Sequence, residues 1–162
     1  MNTKRKSILI IGASNGGKST TMQAVCKKLN PTKVFKLCPN VDNYKESSIE
    51  ISTLDHIFND TFIIEVNAQF VLVCAGAPTE QKIKITILID ICIEINIDIS
   101  FFLVSMRSFE KKEGYKTQIE LSNKSHIILT ERIYRINDDD YKNTNEWKDR
   151  INRITKLILE NI

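Results

Sequence analysis

The chain has 162 residues, of which 42% are hydrophobic and 27% charged, and its formal net charge is +3. This length suits a single domain over residues 1–162 with a core of its own, and the composition excludes the disordered and fibrous classes. The net charge is too small to indicate a nucleic-acid partner.

Neither a leader peptide nor a membrane span is predicted from the apolar runs. The run at residues 8–11 is short, and the run at 83–99 is interrupted by four charged residues, Lys84, Asp90, Glu94 and Asp98. The four cysteines form no CxxC pair and lie mostly in apolar runs, which favours reduced, buried thiols over disulfides or metal ligands. We therefore expect a cytoplasmic protein without a membrane partner.

The first elements in chain order are a strand, a helix and a second strand. "SILIIG" is a continuous apolar run that ends in glycine, as is typical of a buried parallel strand. "KSTTMQAVCKKLN" has apolar residues at helical spacing before Pro31, and "KVFKL" predicts a short strand. Residues 38–59 are polar without a clear period, although "STLDHIF" is compatible with a short helix.

The next segment, "TFIIEVNAQFVLVCAG", predicts a β-hairpin. Two β-rich runs flank "NAQ", which suits a short polar turn. The second arm, residues 70–74, is apolar without interruption, so we expect it in the middle of the sheet.

Residues 83–99 carry isoleucine at every odd position, a period of two that favours a strand. A strand of that length would span roughly 55 Å, which a sheet of this size cannot pair. "APTEQ" before it suits a helix start, and a crossover is needed before the buried strand "ISFFLVS". We therefore predict a helix over residues 80–95.

The remainder predicts a charged loop at "MRSFEKKEGYKTQ", a helix near "QIELSN", a strand at "HIILTERIYRI" and a helix at "EWKDRINRITKLILENI". Strands and helices thus alternate along most of the chain. This order predicts an α/β fold of three layers, with a mainly parallel sheet and one antiparallel hairpin.

The stretch "GASNGGKST" follows the first strand and opens the first helix, and it satisfies GxxxxGK[ST]. Glycines allow the backbone to bring its N–H groups around phosphate oxygens, and the helix start adds a favourable dipole. Lysine supplies a charge to the terminal phosphates, and serine offers a hydroxyl to Mg²⁺. The predicted phosphate contacts are Gly12, Ala13, Ser14, Asn15, Gly16, Gly17, Lys18, Ser19 and Thr20.

These residues resemble the Walker A motif of the P-loop NTPase superfamily, and the order of elements is similar over most of the chain. The resemblance implies ATP or another nucleoside triphosphate as ligand, together with Mg²⁺. It implies catalysis by Lys18 and a metal ligand in Ser19. It does not specify the reaction, because the superfamily includes hydrolases, kinases, motors and switches.

An acid that helps to hold the metal is expected at the end of an apolar strand, but the strand that ends at Cys74 has none there. Glu65 ends "TFII" and is the predicted metal ligand; Asp42, Asp55 and Glu80 are alternatives. The hairpin followed by "CAGAPTEQ" looks like the corresponding region of small GTPases. The DxxG motif is absent, however, since Val73 stands at the Asp position, and NKxD is absent too.

The charged loop after "FFLVS" suggests a basic lid such as P-loop kinases use to neutralise the transferring phosphoryl group. Its cations are Arg107, Lys111, Lys112 and Lys116, with Arg107 the predicted catalytic residue, and Arg132 and Arg135 are further candidates. Glutamates interleave with these cations, so a solvated charged loop is the alternative.

The sequence therefore predicts a nucleoside triphosphatase that uses Mg²⁺ and favours ATP. A phosphotransferase is one alternative, with residues 38–59 as the acceptor site, and a regulatory module that binds nucleotide without hydrolysis is another. Because many P-loop proteins take an arginine from a neighbouring molecule, a protein partner or a second copy could complete the site.

Overall fold

The structure, a computed structural model, describes residues 5–13 and 16–162. Within these ranges, seven strands form one sheet in the order β3-β2-β4-β5-β6-β1-β7. Their bounds are β1 Arg5–Gly12, β2 Lys33–Cys38, β3 Ser48–Ile51, β4 Thr61–Val66, β5 Gln69–Cys74, β6 Ile99–Arg107 and β7 Ser125–Arg132. The chain is thus an α/β protein with a mixed sheet.

The sheet is less parallel than predicted. The neighbouring pairs β5/β6, β6/β1 and β1/β7 are parallel, whereas β4/β5, β2/β4 and β2/β3 are antiparallel. The sequence prediction missed β3, because "SIEI" is a short edge strand inside a polar segment and its residues are largely exposed. The parallel strands β5, β6 and β1 still bring their carboxyl ends to one edge, at Cys74, Arg107 and Gly12.

Helices cover both faces of the sheet. Their bounds are α1 Lys18–Leu29, α2 Pro78–Gln81, α3 Ile85–Glu94, α4 Thr117–Lys124 and α5 Asn145–Glu160. Alternate residues of β1 serve the two faces: Ile8 and Ile10 pack with α1 and α5, whereas Leu9 and Ile11 pack with α3 and α4. This alternation follows from the period of two in a strand.

The helix predicted over residues 80–95 is present as two helices, the short α2 before the isoleucine-rich run and α3 within it. Lys82, with a φ of 60°, adopts a left-handed conformation that ends α2, and α3 begins at Ile85. In α3, Leu88, Ile89 and Cys92 are buried and Ile93 is exposed. Burial thus follows one face of a helix and not the alternation expected of a strand. No helix among the described residues has both the length and the apolar character that a membrane span needs.

Gly76 fixes α2 against the end of β5. The N–H groups of Ala75 and Gly76 donate to the carbonyl of Asp60 at 3.0 and 3.2 Å. The side chain of Gln81 donates to the carbonyl of Gly76 at 2.6 Å and accepts from the Thr61 hydroxyl at 3.0 Å. These bonds anchor the short helix at the sheet edge where β1 also ends.

The four cysteines are free, and three of them, Cys26, Cys74 and Cys92, are buried. Burial raises the pKa of each of these three thiols to about 12. Because the thiolate is the reactive form, we expect a soluble disulfide reagent at pH 8 to modify half-buried Cys38 at least ~100-fold faster than the others. Absorbance of the released thiol measures this; the unfolded protein should release four equivalents, and a second fast thiol in the native state would contradict the burial.

Candidate phosphate-binding site

The turn between β1 and α1 depends on its glycines. Gly17 precedes α1 with a φ of 91°, a conformation that side chains disfavour. The N–H of Gly16 donates to the Ala13 carbonyl at 2.9 Å, and a Cβ on Gly16 would lie 2.9 Å from that oxygen. The predicted contacts Ser14 and Asn15 lie outside the described residues.

Lys18 is buried at the first position of α1, with 7% of its surface exposed. Its ammonium donates to the Ala13 carbonyl at 3.0 Å and lies 3.6 Å from a carboxylate oxygen of Glu80. Burial lowers the pKa of Lys18, while the carboxylate of Glu80 raises it and the guanidinium of Arg107 lowers it further. A second anion beside this ammonium would therefore relieve an unfavourable environment.

Glu80 connects two cations at the edge of the sheet. It lies in the first turn of α2, and one carboxylate oxygen is 3.5 Å from Nε of Arg107 as well as close to Lys18. Arg107 ends β6 directly beside Gly12 of β1, which explains how it reaches the site. The structure thus brings together the two residues predicted to be catalytic, Lys18 and Arg107, through a carboxylate.

Ser19 faces the end of β5 and could hold a metal. Its hydroxyl donates to the carbonyl of Ala75 at 3.4 Å, a long and weak hydrogen bond. The described part of the chain contains no group of three His, Cys, Asp or Glu side chains suited to a metal. Mg²⁺ does not need such a group, since it usually keeps several waters and binds one or two protein oxygens plus substrate phosphates. The Ser19 hydroxyl fits that role.

Glu65 does not lie near Ser19. It pairs with Phe70 beside the turn of the β4/β5 hairpin, whereas Thr61, at the other end of β4, pairs with Cys74 at the site. Its carboxylate accepts a hydrogen bond from the Thr32 hydroxyl at 2.7 Å. The prediction of Glu65 as the metal ligand is therefore corrected. Because β4 runs antiparallel to β5, Glu65 lies at the opposite end of these strands from Ser19.

Unlike Glu80, Asp42 and Asp55 do not line the cavity that contains Lys18, and the basic loop reaches the turn at its start, where the N–H of Ser108 donates to the Gly12 carbonyl at 3.1 Å. Asp55 pairs with Lys27 at 3.0 Å, and Asp42 is exposed. Beyond Arg107 the loop is solvated, and the ammonium of Lys112 lies 5.7 Å from the centre of the Tyr115 ring. The loop does not form a lid over Lys18, although Arg107 itself reaches the site.

A smaller cavity of about 280 Å³ and two larger open cavities adjoin the turn. One, of about 530 Å³, is lined by Gly17, Lys18, Ser19, Thr20, Phe58, Asn59, Glu80 and Arg135. The other, of about 620 Å³, is lined by Gly16, Gly17, Thr20, Arg150 and residues of the segment 135–147. Both volumes fall within the range of small-molecule sites.

Comparison with known proteins assigns the chain to no family. Protein-family models, curated sequences and solved structures give no match. The functional conclusion therefore depends on the residues of the site and on their contacts.

Sequence reasoning missed two contributors to this region. Trp147 and Arg150 of α5 line the larger cavity, but in the sequence they form part of an ordinary amphipathic helix. The sequence indicates Glu80 as an alternative metal ligand and does not predict its pairing with Lys18. Its position in "PTEQ", directly after the buried strand β5, was the one available signal that it lies at the site edge.

Proposed function

We propose that the chain is a P-loop nucleoside triphosphatase that binds ATP or another nucleoside triphosphate with Mg²⁺. The observation that carries this proposal is the buried ammonium of Lys18, which opens α1 behind a glycine turn. A helix N-terminus with free N–H groups and a fixed cation is a favourable site for phosphate.

Charge balance supports a ligand of several negative charges. Lys18 and Arg107 share the single carboxylate of Glu80, so the pair of cations carries a net positive charge. Terminal phosphates would meet both cations in a partly buried setting, where charge-assisted hydrogen bonds are stronger than in water.

The Ser19 hydroxyl would hold the Mg²⁺, which when bound would neutralise charge on the terminal phosphates. Ser19 lies in the same cavity as Lys18 and Glu80, so the hydroxyl, the ammonium and the carboxylate face one space. We assign Glu80 as the group that orients the attacking water and accepts its proton, because it is the carboxylate beside Lys18.

The test is calorimetric titration with ATP, GTP and their diphosphates in the presence of Mg²⁺, with phosphate release followed in the same samples. We expect triphosphate to bind and phosphate to appear. Glu80→Gln should bind triphosphate more tightly, because an anion that competes for Lys18 is removed. It should release phosphate ~100-fold more slowly, because the proton acceptor is lost.

The matched control is Glu113→Gln, an exposed carboxylate in the loop after β6. It should change neither binding nor release. Unchanged release in Glu80→Gln would contradict the role of Glu80, and absence of triphosphate binding to the wild type would contradict the proposed function.

A second candidate function is a nucleotide-binding regulatory module without turnover. It is favoured by the contact between the Ser19 hydroxyl and a backbone carbonyl, that of Ala75, where an acid would hold a metal more firmly. Triphosphate binding without phosphate release in the same titration would select this alternative.

A further inference from the structure

The larger cavity lies beside the phosphate-binding turn, on the side of β7 and α5. Three residues, Gly17, Thr20 and Arg135, line both this cavity and the one that contains Lys18 and Glu80. The two spaces are therefore adjacent at the start of α1. A ligand with its terminal phosphates beside Lys18 has room to continue past Thr20 into the larger cavity.

The larger cavity has an apolar and aromatic side. Ile136, Tyr141 and Trp147 line it, and the rings of Tyr141 and Trp147 meet edge to face with centroids 5.1 Å apart. Trp147 is 7% exposed and lies at the start of α5, where its backbone N–H donates to the hydroxyl of Thr144 at 3.2 Å. This is a rigid surface suited to a flat, uncharged ring system.

The cavity also has a fixed cation next to the turn. Arg150 is 6% exposed, donates to the Tyr134 carbonyl at 3.0 Å and lies 3.4 Å from the Thr21 hydroxyl. Its nearest carboxylate, that of Glu146, is 3.9 Å away and 65% exposed. A Cβ on Gly17 would lie 3.8 Å from Nη1 of Arg150, so the guanidinium lies directly behind the turn.

The mouth of the cavity is polar. Asn137, Asp138 and Asp139 line it and are exposed. Their side chains offer hydrogen-bond acceptors, which suit the N–H groups that every nucleic-acid base presents on its pairing edge. The cavity thus combines a fixed cation beside the turn with an aromatic surface and exposed polar acceptors.

We propose that this cavity binds the ribose and base of the nucleoside triphosphate, with Arg150 at the phosphate next to the ribose and Trp147 and Tyr141 beside the base. The inference rests on the proposed function, because it takes the terminal phosphates to lie at Lys18. It adds which end of the ligand enters which cavity and which residues recognise the nucleoside.

The experiment compares ATP and GTP with inorganic tripolyphosphate, which has the phosphates but no nucleoside. Trp147 is the only tryptophan in the chain, so its fluorescence reports on this cavity alone. We expect at least one nucleotide to change that fluorescence and to bind on the order of 10- to 100-fold more tightly than tripolyphosphate, which should leave the fluorescence unchanged.

Asn137→Phe places a bulky side chain at the cavity mouth and should remove the advantage of the nucleotide while tripolyphosphate still binds. Asn152→Phe is the matched control, since Asn152 is exposed on α5 and lines neither cavity. Equal affinities for tripolyphosphate and both nucleotides, or an unchanged ratio in Asn137→Phe, would overturn the inference and leave the proposed function standing. If tripolyphosphate and nucleotides all fail to bind, both proposals are overturned.

Discussion

Lys18→Ala is expected to weaken the binding of triphosphate with Mg²⁺ by at least ~100-fold, or roughly 3 kcal/mol. The substitution removes the buried ammonium at the start of α1. It also leaves Arg107 as the one remaining cation of the pair beside the Glu80 carboxylate, so the net charge that attracts the phosphates is lost. Calorimetric titration of the variant with ATP and GTP measures the loss.

The matched control is Lys28→Ala, an exposed lysine of the same helix. It should bind triphosphate as the wild type does, since its charge lies away from the turn and is screened by solvent. Thermal unfolding of both variants establishes that they are folded. Wild-type affinity in a folded Lys18→Ala protein would mean that the glycine turn does not hold phosphate.

Gly76→Ala is expected to lower the free energy of unfolding by ~3 kcal/mol or more. A Cβ at this position would lie 2.0 Å from the carbonyl oxygen of Asn59 and 2.4 Å from its carbon. Both atoms belong to the backbone, so relief requires a shift of the segment that hydrogen-bonds to Ala75 and Gly76 through Asp60. Denaturant titration followed by circular dichroism measures the change.

Gly114→Ala is the matched control for the same substitution. Gly114 has a φ of 83°, and the nearest atom to an added Cβ is the Lys84 ammonium at 3.5 Å. The methyl group therefore meets no close contact, and the left-handed backbone alone lowers the free energy of unfolding, by about 1 kcal/mol. Equal losses in the two variants would show that the segment at Asn59 does not pack against Gly76.

Local pattern was sufficient for the elements that carry the glycine turn. The apolar run of β1, the glycines and the helical spacing of α1 all lie within thirty residues of one another, so neighbouring residues determine them. The β4/β5 hairpin and α5 were predicted for the same reason. Asn67 and Ala68 at the hairpin turn both have positive φ, as a tight turn between strands requires.

Local pattern was not sufficient to predict the edge strand β3 or the break between α2 and α3. β3 is short and exposed, and its pairing with β2 determines that half of the strand pairs are antiparallel. The break between α2 and α3 depends on the left-handed backbone of Lys82, a conformation that no side chain in "EQKIK" signals.

By itself, the sequence determined the glycine turn between β1 and α1 and the α/β class, because both follow from residues close together in the chain. Only the tertiary structure decided which acid accompanies Lys18. Because β4 runs antiparallel to β5, Glu65 lies at the end of the strands away from the turn. Glu80 follows the carboxyl end of β5 and lies beside Lys18. It also decided that Arg150 of α5 lies behind Gly17, since contacts between distant segments depend on how the strands are ordered and the helices packed.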